Sequence, residues 1–152
     1  MLRDRIKEAM KTAMKAKDEI GLATTRLILA ALKDRDIAAR SKGNTDGISD
    51  DELLGMLQSM IKQRRDSIEM YEKGGRPELA EREASEIDVI ETFLPEQMSE
   101  DAANAAIDAV MKELEAASMK DMGRVMAALK ERHAGSMDFG KASGLVKARL
   151  GS

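Results

Sequence analysis

Phe93-Leu94-Pro95-Glu96-Gln97 divides this chain of 152 residues into two parts. The residue before a proline is disfavoured in the helical conformation, so a helix arriving from the N-terminal side ends near Leu94. Ser99 follows two residues after this stretch and is a favourable N-cap for a new helix. We therefore expect an N-terminal domain over residues 1–95 and a smaller domain over residues 96–152.

On the N-terminal side of this boundary, apolar residues recur with the three- and four-residue spacing of amphipathic helices. Breaks are expected after residue 15, at the polar loop 41–47 and at Gly74-Gly75. Ser49 and Glu52 have the spacing of a capping box, and Pro77 suits the first turn of a helix. The pattern predicts four helices, over about 2–15, 19–40, 50–71 and 77–94.

The apolar residues of the first two helices define the faces that we expect to be buried. In the first helix these residues are Leu2, Ile6, Ala9, Met10, Ala13 and Met14. In the second helix they are Leu22, Leu27, Ile28, Ala31, Leu32 and Ile37.

On the C-terminal side, the same spacing predicts three more helices. They cover about 100–116, a stretch capped by Ser118 and Asp121 that ends before Gly135, and about 141–150. No segment alternates with the period of two that a half-buried strand would show. The sequence therefore predicts an all-α fold with a four-helix N-terminal domain and a small three-helix C-terminal tail domain.

The residue composition excludes several kinds of site. The chain has no Cys, which excludes disulfides, zinc–thiolate centres and thiol catalysis. Neighbouring carboxylates such as Asp50 and Asp51 lie at helix ends without a nearby His, so we expect neither a metal ion nor a cofactor. The longest aliphatic run, 27–32, is far too short to cross a membrane, and the N-terminus lacks a signal-peptide core. These features predict a soluble, cytoplasmic protein.

Charge is unevenly distributed along the chain. Residues 1–45 carry eleven basic and six acidic groups, whereas residues 46–95 carry six basic and thirteen acidic groups. Residues 120–149 carry seven Lys or Arg against three acids, a balance of +4. Since clustered cations attract polyanions, this last segment is the candidate binding surface.

The candidate RNA-binding residues are the cations of this segment and one hydroxyl near the start of its last helix. They are Lys120, Arg124, Lys130, Arg132, Lys141, Ser143, Lys147 and Arg149. Aromatic side chains are nearly absent from the chain, which argues against stacking on single-stranded bases. Contacts to the phosphates of a folded RNA fit this composition better.

Gly135-Ser136-Met137-Asp138-Phe139-Gly140-Lys141 matches part of the phosphate-binding loop of nucleotide hydrolases. However, a helix precedes it where a strand is required, and Ala142 replaces the hydroxyl residue that holds magnesium. We therefore do not expect nucleotide hydrolysis. Free N–H groups at this helix start would still attract an anion such as a phosphate, unless the segment is an ordinary helix start.

Two further features have structural interpretations. Gly123 and Gly144 fall inside predicted helices, where each costs about 1 kcal/mol relative to Ala, and we expect them to allow close contact between helices. His133 is the only histidine, and no plausible nucleophile accompanies it. We expect it to interact with a helix C-terminus or with solvent, so no catalytic residue is assigned.

A resemblance to a known family is carried by residues 62–68, 93–97 and 120–126, together with Gly140-Lys141, Ser143 and Val146-Lys147. These stretches resemble the GatB/YqeY family, and in particular its small stand-alone YqeY-like proteins. The resemblance extends over nearly the whole chain. It implies a tail similar to the C-terminal domain of the B subunit of the aspartyl/glutamyl-tRNA amidotransferase, which contacts tRNA. In one departure, Phe139 separates Asp138 from Gly140, where the family often has Asp-Gly-Lys.

Charge and resemblance together predict a non-catalytic accessory module that associates with tRNA, or with an enzyme that charges or amidates tRNA. One alternative is a protein-interaction adaptor that uses the acidic, Met-rich helices. Another is an amidotransferase-like carbon–nitrogen ligase with glutamine as amido donor. The chain lacks the large catalytic cradle of the B subunit and a Ser-rich nucleophile region, which argues against catalysis by this chain alone.

Overall fold

A computed structural model describes residues 1–151, and their regular structure is entirely helical, without a strand. The seven helices are α1 (Leu2–Lys15), α2 (Glu19–Arg40), α3 (Asp50–Lys73), α4 (Pro77–Glu91), α5 (Glu100–Glu113), α6 (Met122–His133) and α7 (Phe139–Leu150). A 3₁₀ turn, Met119–Asp121, precedes α6. The expected all-α class is confirmed.

Contacts divide the chain into two compact units that adjoin in sequence between Leu94 and Pro95. The first unit contains α1 to α4 around a core that includes Ile6, Ile28, Leu53, Leu57 and Ile90. The second contains α5 to α7 around a core that includes Ile107, Val110, Val125, Leu129 and Val146. Each of these side chains is at most 1% exposed, and burial of one Leu, Ile or Val stabilises the folded state by about 1.5–3 kcal/mol.

Side-chain caps determine where most of the helices begin. The Asp18 carboxylate accepts a hydrogen bond from the Gly21 N–H at 3.0 Å, and the Ser99 hydroxyl accepts one from the Ala102 N–H at 3.1 Å. Ser49 and Glu52 form the predicted capping box at the start of α3. Each such cap stabilises its helix by about 1 kcal/mol, and these predicted helix starts are confirmed.

Several predicted limits are wrong by two or three residues. The predictions for α4 and α5 run three residues too far, since these helices end at Glu91 and Glu113. Conversely, α7 begins at Phe139, two residues earlier than predicted, because Asp138 caps it.

Three residues predicted to be buried are about half exposed: Met14 at 49%, Leu27 at 48% and Ile37 at 49%. The buried residues of α2 are Gly21, Thr24, Thr25, Ile28 and Leu32. Two threonines thus occupy the inner face, and the Thr25 hydroxyl is accommodated there by donating to the Gly21 carbonyl at 2.8 Å. Their hydrophobicity predicted that Leu27 and Ile37 would face the core. The buried face of α2 instead contains the small residues Gly21, Thr24 and Thr25.

Arg3 and Asp36 form a clamp that joins α1 to α2. The Arg3 guanidinium donates to the two Asp36 carboxylate oxygens at 2.6 and 2.8 Å, and to the Ile48 carbonyl at 2.8 Å. The Ile48 N–H donates to Asp36 in turn, at 2.9 Å. Gly47, with φ of 89°, allows this close approach, since a Cβ there would lie 2.7 Å from the guanidinium.

A second arginine joins α3 to α4. The Arg64 Nε donates to a Glu86 carboxylate oxygen at 3.1 Å, and these side chains are only 13% and 11% exposed. Glu83 lies nearby, with a carboxylate oxygen 3.9 Å from the same Nε. Burial and the charge of Glu86 together raise the pKa of the Glu83 carboxyl. The two helices are therefore linked by a partly buried pair as well as by apolar packing.

We expect Asp36→Asn to destabilise the first unit by about 1–3 kcal/mol at pH 7, because Arg3 and the Ile48 N–H lose a charged acceptor. The hydrogen bond from Arg3 lowers the pKa of the Asp36 carboxyl in the folded state. The contribution of the clamp is therefore complete above about pH 4, the ordinary carboxyl range, and is lost as the pH falls further.

Urea unfolding at pH 7 and at pH 3, with hydrogen exchange of the α1 and α2 amides, measures this effect. The difference in the free energy of unfolding between the variant and the natural protein should be smaller at pH 3 than at pH 7. Asp34→Asn is the matched control, because Asp34 is exposed on the same helix and has no ion-pair partner among residues 1–151. Equal effects of the two substitutions would contradict the clamp.

Candidate nucleic-acid interface

The candidate surface is formed by α6, α7 and the turn between them. Gly135 makes this turn with φ of 81°, a conformation that glycine adopts without strain. Its carbonyl accepts a hydrogen bond from the Gln97 side-chain amide at 2.7 Å, and the Ser136 carbonyl accepts one from the Met98 N–H at 2.8 Å. The segment that follows Pro95 is therefore hydrogen-bonded to the turn that joins the two helices.

Each of the two helices buries one stripe and exposes the other side. Val125 and Leu129 of α6, and Ala142, Val146 and Leu150 of α7, belong to the core of the second unit. The four predicted lysines are all exposed, and none has an ion-pair partner within 4.0 Å among residues 1–151. These lysines are Lys120, Lys130, Lys141 and Lys147.

The three predicted arginines are all paired with carboxylates. Arg124 donates to Asp121 at 2.7 Å. Arg132 forms two hydrogen bonds with Glu113, at 2.7 and 2.9 Å, and it holds the pKa of the Glu113 carboxyl below its ordinary value.

Arg149 of α7 completes this group. Its guanidinium lies 2.8 Å from a carboxylate oxygen of Asp108 and donates to the Asn104 side chain at 2.9 Å. Arg132 and Arg149 thus tie α6 and α7 back to α5, since Glu113, Asp108 and Asn104 belong to α5. The predicted contact residues therefore separate into lysines without a carboxylate partner and arginines that are paired with carboxylates, with Ser143 half-buried.

Of the two alternatives for the start of α7, a free anion site or an ordinary helix start, the structure shows the ordinary helix start. One carboxylate oxygen of Asp138 accepts hydrogen bonds from the Gly140 N–H at 3.0 Å and the Lys141 N–H at 3.2 Å. These groups are therefore already bound to an anion of the chain itself. The insertion of Phe139 at the first helical position places Asp138 as an ordinary N-cap.

The expectation that the helical glycines allow close contact between helices is wrong. Gly123 and Gly144 are exposed, and a Cβ added at either would meet nothing within 4 Å. Gly144 lies three residues from both Lys141 and Lys147, so the two lysines flank bare backbone on the outer side of α7. In α6, Gly123 precedes Lys130 by seven residues, or two turns, which places both on one face.

This pairing of glycine with lysine was missed by the sequence reasoning, although the spacing itself was available. A glycine in a helix was attributed to helix packing. Only the exposure of Gly123 and Gly144 shows that their bare backbone faces solvent instead.

A sequence profile described as Yqey-like protein matches residues 3–150. The chain belongs to the YqeY-like family. The match covers both compact units, and it agrees with the resemblance found in the separate stretches above.

Relatives of this YqeY-like chain include yeast proteins named "Altered inheritance of mitochondria protein 41, mitochondrial". The protein of Lachancea thermotolerans is 36% identical over 109 residues, which are 72% of this chain and 55% of the relative. That of Eremothecium gossypii is 33% identical over 112 residues, or 72% and 58% of the two chains. That of Saccharomyces cerevisiae is 35% identical over 89 residues, or 59% and 46%.

The chain spans about half the length of these curated relatives. The names of these relatives refer to mitochondria, so a cytoplasmic location for this YqeY-like chain stays a prediction. The same names mention neither tRNA nor amide transfer, so association with tRNA also stays a prediction. Within residues 1–151, no helix is long and apolar enough to span a bilayer.

We expect Gly144→Ala to stabilise the second unit by about 0.5–1 kcal/mol, because alanine has the higher helix propensity and its methyl group meets open space. Thermal unfolding and hydrogen exchange of the α7 amides measure the gain. Gly135→Ala is the contrasting variant and should destabilise the same unit, since Gly135 has a positive φ. A loss of stability in Gly144→Ala would show that this position is packed.

Asp121 provides a prediction about protonation. Hydrogen bonds from the Ala117 N–H, the Arg124 guanidinium and the Ser118 N–H lower the pKa of the Asp121 carboxyl to about 2. A titration followed by carboxyl carbon NMR should give this pKa. In Arg124→Gln the pKa should rise but stay below the ordinary value, because the largest lowering comes from the backbone donor of Ala117. A return to the ordinary value would assign the whole shift to Arg124.

Proposed function

We propose that this member of the YqeY-like family is a non-catalytic, tRNA-associated module. In this proposal the second unit lies against the sugar–phosphate backbone of a folded RNA. The observation that supports it best is the row Lys141, Gly144 and Lys147 on the outer side of α7. Two exposed ammonium groups flank a position where a ligand can approach the helix backbone closely.

The chemistry of the row suits phosphates better than bases. Ammonium groups bind phosphate oxygens without regard to base identity. Phe139 is the only aromatic residue of the second unit, and it is half-buried against the core, so it is poorly placed for base stacking. The expected partner is therefore an RNA recognised by shape and backbone, with tRNA as the candidate that the family resemblance implies.

The arginines have a different role in this proposal. A guanidinium forms planar, paired hydrogen bonds with a carboxylate, whereas an ammonium group acts as a flexible point charge. Arg132 and Arg149 hold α5 against α6 and α7, so they support the lysine-bearing helices instead of contacting RNA. In this proposal, an enzyme that charges or amidates tRNA associates with the module by binding the same tRNA. We propose that the module is located in the cytoplasm.

The proposal is tested by measuring the binding of bulk tRNA between 50 and 200 mM salt. The double variant Lys141→Glu, Lys147→Glu should bind at least about tenfold more weakly, and its log–log salt slope should fall by about two, one for each lost phosphate contact. The control Lys15→Glu, Lys62→Glu changes the net charge equally on exposed lysines of the first unit. Equal weakening in both double variants would reduce the effect to net charge and contradict the proposal.

A second set of variants separates contact from scaffold. We expect Gly144→Leu to weaken tRNA binding by about tenfold while the unit stays folded, because the larger side chain keeps the RNA away from the α7 backbone. Gly144→Ala should bind nearly as well as the natural protein. Arg149→Gln should lower the unfolding temperature and leave the tRNA affinity of the folded protein within about twofold, since its pairing is internal. If Arg149→Gln weakened binding without loss of stability, Arg149 would be a contact residue.

A further inference from the structure

A groove of about 380 Å³ runs between α1 and α2 in the first unit. The two helices are joined by the short segment 16–18, and Arg3 near the start of α1 pairs with Asp36 near the end of α2. They are therefore antiparallel neighbours, and the groove lies where Arg3 and Lys7 of α1 face residues 29–40 of α2. None of the candidate RNA-binding residues lines this groove.

The groove has an apolar floor. Leu29, Leu32 and Ile37 of α2 line it, and Ile37 remains half exposed. On α1, residues 3, 7, 10 and 14 follow the four- and three-residue spacing of a single helix face. Met10 and Met14 therefore continue the apolar strip beyond Lys7, and Met14 is also half exposed.

The rim of the groove is basic. Lys7, Lys33 and Arg40 line it, all three are exposed, and none has an ion-pair partner within 4.0 Å among residues 1–151. Asp36 is the only acid that lines the groove, and it is already neutralised by Arg3 at 2.6 Å. Three exposed cations without an ion-pair partner thus surround an apolar floor.

We infer that this groove binds an acidic, amphipathic helical segment of a partner protein. The apolar face of such a helix would cover Leu29, Ile37 and Met14, while its carboxylates would pair with Lys7, Lys33 and Arg40. RNA fits less well, because phosphates would satisfy the cations but leave the aliphatic floor uncovered. Since the lining residues of α2 extend over the twelve positions from Leu29 to Arg40, at a rise of about 1.5 Å per residue, a partner helix of about 12 to 14 residues matches the groove.

The probe is a fluorescein-labelled helical peptide of about 14 residues, with leucine along one face and glutamate at the other positions. Its binding to the full chain is measured by fluorescence anisotropy. Two comparison peptides have the same leucine content. One has scrambled positions, so that no apolar face forms, and the other has lysine in place of glutamate.

We expect the acidic amphipathic peptide to bind with a Kd below about 100 μM, and each comparison peptide to bind at least about tenfold more weakly. Lys33→Glu with Arg40→Glu should weaken binding at least about tenfold, and Ile37→Ser about fivefold, because they remove the charge and the apolar contact separately. The control Lys62→Glu with Lys112→Glu has the same net charge as the first pair and should bind like the natural protein.

Three results would overturn this inference. They are no binding of the acidic peptide to the natural protein, equal binding of the scrambled peptide, and weaker tRNA binding by the Lys33→Glu, Arg40→Glu variant than by the control Lys62→Glu, Lys112→Glu. The last result would assign the groove to RNA. Circular dichroism of each variant ensures that a folding defect is not mistaken for lost binding. The test is independent of the RNA proposal, since the variants of that proposal lie at Lys141, Gly144 and Lys147.

Discussion

Each unit depends on burial of an aliphatic core, and pairing of arginine with carboxylates between neighbouring helices accompanies that core in both units. A core with few aromatic rings packs aliphatic side chains that are interchangeable in shape, so apolar contact alone specifies helix register weakly. The planar guanidinium adds directional bonds at particular places. Arg3 with Asp36 connects α1 to α2, Arg64 with Glu86 connects α3 to α4, and Arg149 with Asp108 connects α5 to α7.

This use of arginine determines which cations remain available for binding. In the second unit, Arg124, Arg132 and Arg149 pair with neighbouring acids, whereas the four candidate lysines have no carboxylate partner among residues 1–151. Lysine loses little by staying in water, because its ammonium group is strongly hydrated and its stem is flexible. A surface of hydrated lysines beside bare backbone suits a reversible, salt-sensitive contact with a polyanion.

In the first unit, too, some cations are paired with carboxylates and others are not. Arg3 and Asp36 pair with each other in the clamp, whereas Lys7, Lys33 and Arg40 have no ion-pair partner among residues 1–151 and line the apolar groove. The two basic surfaces therefore differ in what lies between their cations. Aliphatic side chains lie between them in α1 and α2, whereas glycine lies between them in α7. Cations beside aliphatic side chains suit an amphipathic helix, and cations beside exposed backbone suit a sugar–phosphate chain.

The amino-acid sequence alone determined the helices, most of their starting points and the family resemblance. These features depend on local chemistry: an Asp or Ser cap, a proline, and apolar residues three and four positions apart act within one or two turns. Only the tertiary structure decided which apolar residues are buried and which cations are paired. Leu27 and Ile37 are exposed because they lie outside the buried face of α2, which contains Gly21, Thr24, Thr25, Ile28 and Leu32. Arg149 is paired with Asp108, which lies on a different helix. Such outcomes depend on partners distant in sequence, which one-dimensional patterns of charge and hydrophobicity do not contain.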